Sequence, residues 1–425
     1  MSRANGSRWF YSYLPHGMAG GATSPLIPLF VVALQGSLAD VGIMAAATSI
    51  ASVPAFVLWG WLSDRMKKRK VFLLLGFLGV AVSFLAMALS FDLPQFYLAN
   101  LLIGFLGAAS APVGAVLVME TTERERWPDR LAFMSQLTGV GWIAGLSVGV
   151  VWLTIGPALV GGLSAMRGLF VIGAALGLAS GLLVGAWLKE PTEHVERRSI
   201  HLADVHLHVE RVKFLPMRML HFIDPRNHRG KGARLSKPLR LYLLSVFLLF
   251  SGFTAFYGFF PILLQQVYGF SNPEVFAVYI ASQAASVATY LRVGNWVRAR
   301  GSRRTQLYAS LGRTVLFPSF LLLGFLPLSG EAILVGILLL HAGVGLCWAI
   351  INVSGSTLVS HLAPEDGRAE ALGAYNAMQG FGSILGPLLG GFAAEFYGYG
   401  PAIGASVGFI LAGVVLLAAN RAAEA

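Results

Sequence analysis

IPLFVVALQGSLADVG at residues 27–42 and FPILLQQVYGFSNPEVF at residues 260–276 decide the fold of this chain. An apolar run follows each, then a basic stretch: GWLSDRMKKRK at 60–70 and GNWVRARGSRR at 294–304. Pro28 matches Pro261, Gly36 matches Gly269, and Gly60 matches Gly294. Each copy reads as an apolar helix, a turn, a second apolar helix ending on glycine, and a basic loop. A chain that repeats itself at its midpoint implies two parallel halves, an architecture that membrane transporters use.

Composition agrees. Hydrophobic residues make up 56% of the 425 residues and charged residues 12%, roughly half of what a soluble surface needs. The charges bound apolar stretches of about 20 residues, the length that spans a bilayer. Twelve such spans are expected, near 10–34, 41–63, 70–90, 95–119, 131–154, 168–188, 240–265, 274–297, 305–328, 332–357, 369–393 and 401–420. Many of the 50 glycines fall inside them, where small residues let helices approach closely in lipid. The fold class is therefore an all-α membrane protein of twelve transmembrane helices in two pseudo-symmetric six-helix bundles. The first span lacks a cleavage site and reads as a permanent anchor.

A net charge of +11 invites a nucleic-acid reading, which its distribution excludes. Lys and Arg gather in alternate loops, while the opposite loops hold Asp40, Asp92, Glu274 and Glu331, with Arg167 their one basic residue. This positive-inside pattern places both termini and the central loop in the cytoplasm. The expected organisation is an N-terminal bundle at 1–188, a basic, histidine-rich cytoplasmic linker at 189–239, and a C-terminal bundle at 240–425. Asp204–Ile223 mixes basic and large apolar residues and could lie along the membrane surface. The linker histidines lack the spacing and the cysteine partners of a zinc site, so no metal is expected. The single Cys347 excludes a disulfide framework.

Gly60-Trp-Leu-Ser-Asp64-Arg65-Met-Lys67-Lys68-Arg69-Lys70 resembles the loop signature of the major facilitator superfamily, G-x-x-x-D-[RK]-x-G-[RK]-[RK], with Lys67 in the second glycine position. The second copy keeps Gly294, Gly301, Arg303 and Arg304 but has Arg298 in place of the aspartate. Gly382-Ser-Ile-Leu-Gly386-Pro387-Leu-Leu-Gly390-Gly391 resembles a G-x-x-x-G-P-x-x-G-G pattern associated with exporters of that family. Gly141, Gly145 and Gly149 repeat its spacing in the fifth span, without the proline. Pro364-Glu-Asp-Gly-Arg368, its partner Trp127-Pro-Asp-Arg130, and Arg167-Gly-Leu-Phe170 extend the resemblance. It implies a secondary transporter working by alternating access, most similar to the drug and metabolite efflux branch. It also implies a plasma-membrane protein, acting as a monomer on a small molecule.

On that resemblance, Gly60, Asp64, Arg65, Arg69, Lys70, Glu120, Arg130, Arg298 and Arg368 form a conformational latch. Asp64 would face a helix N-terminus of the other half, and Arg65, Arg69 and Lys70 would pair with Glu120 or Glu123. The competing reading is that these bases only fix orientation. Gly141, Gly145, Gly382, Gly386 and Pro387 would pack helices. Polar residues at mid-depth are candidates for a substrate cavity, because such groups are costly in a span. They are His16, Asn100, Gln136, Trp142, Tyr257, Gln283, His341, Trp348, Asn352, Asn376 and Gln379, with Tyr13 beside His16. An interhelical hydrogen bond is the plainer alternative for each amide, and packing for each tryptophan.

Arg292 lies near a span end and could snorkel to the interface. Arg313 lies deep in the ninth span, either as an anion anchor or as a structural pair. No Asp or Glu lies at mid-depth in the first six spans, so a proton would have to travel on His16 or His341. No G-x-x-x-x-G-K-[ST] and no H-E-x-x-H occurs, so neither ATP, another cofactor nor enzymatic chemistry is expected. Import or exchange of organic anions or sugars, and a sensor on the same fold, remain alternatives to efflux.

Overall fold

The computed structural model describes residues 4–123, 126–190, 236–364 and 368–420, and among them every regular element is helical. The first half holds α1 (Tyr13–Thr23), α2 (Leu26–Ala33), α3 (Leu38–Met66), α4 (Arg69–Ala88), α5 (Leu93–Gly107), α6 (Ser110–Thr121), α7 (Trp127–Val160) and α8 (Gly162–Trp187). The second holds α9 (Lys237–Tyr268), α10 (Asn272–Arg300), α11 (Ser302–Leu322), α12 (Gly330–Leu362), α13 (Arg368–Tyr397) and α14 (Tyr399–Ala419). Nine runs among the described residues are long and apolar enough to cross a membrane. α10 and α13 match them in length, with 29 and 30 residues.

Two crossings are broken by proline. Pro28 offers no N–H to the Ser24 carbonyl, and the chain breaks between α1 and α2 at Ser24–Pro25. Pro112 does the same to Ala108, where α5 gives way to α6. Counting each broken pair as one, the described residues form twelve long helical segments, six per half, consistent with twelve crossings.

The sequence repeat is a structural repeat. Ser37 and Asp40 close a capping box at the start of α3, and Ser271 and Glu274 close one at the start of α10. Each satisfies backbone N–H groups that a helix start leaves without partners. Contrary to expectation, neither Gly60 nor Gly294 ends a helix, because α3 runs on to Met66 and α10 to Arg300. The chain turns instead at Lys67 (φ 50°) and Gly301 (φ 80°), equivalent positions in the two copies. The turns at the opposite ends of these helices use Gln35 (φ 65°) and Gly269 (φ 69°). Gly36 is needed for space, since a Cβ there would sit 2.5 Å from Val31 Cγ1.

Within each half a glycine face brings two helices to backbone contact. Added Cβ atoms at Gly141 and Gly145 of α7 would lie 2.3 and 2.0 Å from the Leu14 and Met18 carbonyl oxygens of α1. In the second half, Cβ atoms at Gly386 and Gly390 of α13 would lie 2.3 and 2.1 Å from the Ser251 and Ala255 oxygens of α9. A Cβ at Gly382 would lie 2.8 Å from Ser251 N.

Between the halves, α3 packs on α13, α7 on α10, and α2 on α9. The tight approaches lie away from the basic loops. A Cβ at Gly42 would lie 2.3 Å from Pro387 O, one at Gly391 2.6 Å from Leu38 O, and one at Gly149 2.3 Å from Phe276 Cε1. Glu395 of α13 accepts a hydrogen bond of 2.8 Å from Leu38 N–H at the first turn of α3. A carboxylate there satisfies a free backbone donor and faces the positive end of the helix dipole.

Candidate functional site

At the basic end, Arg69 gathers the acids of the first half. Its guanidinium reaches Asp64 Oδ1 at 2.6 Å and Glu120 Oε1 at 2.7 Å, and donates to Ser63 Oγ at 3.0 Å. The Arg69 and Glu120 side chains are 2% and 0% exposed, that of Asp64 30%. Burial of this kind strengthens the pair but makes either partner costly without the other. Asp64 thus faces a base of its own half. The reason is local: α3 ends at Met66, and the tight turn brings Arg69 back beside Asp64.

The remaining bases do other things. Arg65 lies over the Trp61 ring at 5.4 Å, and Lys70 donates to the Gly185 carbonyl at 2.7 Å. Glu190, not foreseen from sequence, accepts from the backbone N–H groups of Arg69 and Lys70 and closes the start of α4. Arg130 lies over Phe10 at 5.9 Å, and Arg298 bonds to Asn295 one turn back. Gly60 has room around it, with Pro112 Cβ the nearest atom at 3.8 Å from an added Cβ. Arg368 opens α13, and its side chain lies outside the described residues. So do the linker histidines and Asp204–Ile223.

The cavity candidates separate by exposure. Gln136, Asn352 and Asn376 are exposed, and each lies in the basic-end half of its helix, α7, α12 and α13. His16, Trp142, Tyr257, Gln283, Trp348 and Gln379 are half-buried. Trp142 fills the groove over Gly20, and His16 stacks near Phe77 with its Nδ1 buried and unpartnered.

Asn100 and His341 are corrections to the expected cavity lining, each 1% exposed. Asn100 turns into its bundle and donates to Phe96 O at 2.8 Å on its own helix. His341 Nδ1 lies 2.9 Å from Val278 O, and Nε2 lies 3.0 Å from Tyr257 Oη. A carbonyl only accepts, so Nδ1 carries the proton and Nε2 accepts the tyrosine hydroxyl. Both ring nitrogens are spent on structure in this conformation.

Arg313 shares that interior. It is 1% exposed and ringed by Phe253, Trp348 and Phe317, with its guanidinium carbon 4.3, 5.4 and 5.9 Å from their centroids. Placing a cation at such depth costs at least ~2.5–3.5 kcal/mol, which cation–π contacts of about 2 kcal/mol partly offset. Arg292 is exposed, as a snorkelling side chain would be. Among the described residues no His, Cys, Asp and Glu cluster is arranged to hold a metal.

Two halves of helices, repeated in sequence and in caps and packed on one another, form a multi-span membrane fold. The family model of the Major Facilitator Superfamily matches residues 9–364, and the chain belongs to that superfamily. Multidrug resistance protein 2 of Bacillus subtilis (strain 168) is 23% identical over 404 residues, covering 93% of this chain and 88% of that protein. Multidrug resistance protein MdtG of Citrobacter koseri is 30% identical over 209 residues, 46% of this chain and 47% of its own. Among solved structures the nucleoside transporter NupG aligns over 100% of this chain and 99% of its own, with a TM-score of 0.68 at 17% identity. Members of this superfamily are transporters rather than enzymes.

Proposed function

We propose that this protein exports hydrophobic or amphiphilic compounds across the plasma membrane by alternating access, with both termini and the basic loops in the cytoplasm. The observation that carries this reading is the asymmetry of the seam. The ends away from the basic loops are sealed by Gly42, Pro387, Gly391 and the Glu395–Leu38 bond. The exposed amides Gln136, Asn352 and Asn376 lie toward the basic end. With the basic end inside, this is an inward-facing state, ready to take a compound from the cytoplasm or inner leaflet.

The names of the multidrug relatives favour efflux, and the lining of aromatic rings and uncharged amides suits compounds with large apolar surfaces. Rocking would open the sealed seam and close the basic end, with the Asp64–Arg69–Glu120 cluster keeping the α3–α4 turn rigid as it moves. Protons remain the candidate coupling ion, and the working unit is a monomer. The test is accumulation of a lipophilic fluorescent dye in cells lacking their own efflux pumps. Expression of this protein should lower dye accumulation several-fold, and a Gly42→Trp variant, which wedges the seam, should not. Unchanged accumulation across lipophilic cations and neutral dyes, with uptake of sugars or organic acids instead, would overturn the export reading.

A further inference from the structure

We infer that Arg313 is a binding site for an anionic group on the transported compound, so that the substrates include aromatic or amphiphilic carboxylates. The inference rests on the transport reading above and names a substrate class for it.

Arginine brings five N–H donors and a charge it does not give up. The other buried arginines put their donors to use. Arg69 is held by two carboxylates, and Arg303 donates from Nε to Leu417 O at 3.0 Å and from Nη2 to Ala418 O at the end of α14. Arg313 makes one long contact, from Nη2 to Val344 O at 3.4 Å. Its Nε and Nη1 are buried without any hydrogen-bond partner. Among the described residues, no carboxylate lies within ion-pair distance of it. Aromatic faces attract the cation but leave its in-plane donors, the edge that fits a carboxylate, unused.

Access runs past Trp348. Phe253 and Phe317 are 2% and 0% exposed, whereas Trp348 is half-buried. Asn352 lies four residues further along α12, on the same helix face, and is exposed. A turn of the Trp348 side chain would therefore uncover the guanidinium to the cavity. A bound aromatic acid would set its carboxylate on the Arg313 fork and its ring against the indole.

The experiment compares 1-naphthoate with 1-naphthamide, nearly equal in shape but differing in charge, by calorimetry on the full-length protein in detergent. The wild type should bind naphthoate at least tenfold more tightly than naphthamide. Arg313→Met should abolish that preference while keeping naphthamide binding, and Arg313→Lys should retain part of it. Equal affinities in the wild type, no binding of either compound, or a preference that survives in Arg313→Met would each overturn the inference. The wild-type comparison decides the matter even if Arg313→Met fails to fold. Dye export in proteoliposomes is measured alongside. Export without any anion preference removes only this inference, whereas absence of export of every compound removes the wider reading.

Discussion

Arg69 joins the loop signature to the helix ends it organises. Its two acidic partners come from α3 and α6, and its own backbone N–H bonds Glu190 beyond α8. Arg69→Ala takes from the buried Glu120 its bidentate cationic partner, a change that costs about 3–5 kcal/mol. It should lower the thermal midpoint sharply and reduce transport, with Arg69→Lys a poor substitute because one ammonium cannot bridge both acids. Lys67 points the other way. It occupies the family's glycine position and a left-handed backbone at φ 50°, a conformation costing a non-glycine residue roughly 1–2 kcal/mol. Lys67→Gly should raise the thermal midpoint without lowering transport, and a lowered midpoint would show that the lysine side chain has a role of its own.

At the scale of elements, glycine decides where helices touch, and motif glycines are not equal. Gly145→Ala drives a Cβ to 2.0 Å from the Met18 carbonyl and should cost about 1–3 kcal/mol by separating α1 from α7. Gly60→Ala meets only Pro112 Cβ at 3.8 Å and should leave the unfolding midpoint unchanged in this conformation. A large loss in Gly60→Ala would mean that another state of the cycle needs the space. Melting of the two variants in one detergent checks both. The helices, their repeat and their basic loops were legible because hydropathy and charge are properties of single stretches. The proline breaks after α1 and α5 were legible in principle, as carbonyls left without a donor four residues before Pro28 and Pro112. Which face of α5 or α12 turns inward was not, so Asn100 and His341 read as cavity residues until their partners Phe96, Val278 and Tyr257 were in view.

For the whole molecule, the informative contact joins a side chain to a backbone group. The Arg69–Glu120 pair could be anticipated from charge, but the Leu38 N–H that Glu395 accepts leaves no trace in the sequence. Together with Gly42, Gly391 and Pro387 it closes one end of the interface, and the proposed alternating access requires that contact to part. The most direct test joins positions 38 and 395 covalently. Leu38→Cys and Glu395→Cys would be placed in a Cys347→Ala background, bridged with a short thiol cross-linker, and assayed for dye export in proteoliposomes before and after release of the bridge. The account predicts export by the uncross-linked protein, loss when the bridge forms, and recovery when it is cleaved. Export at an unchanged rate with the bridge in place would contradict it, because the seam would then not need to open.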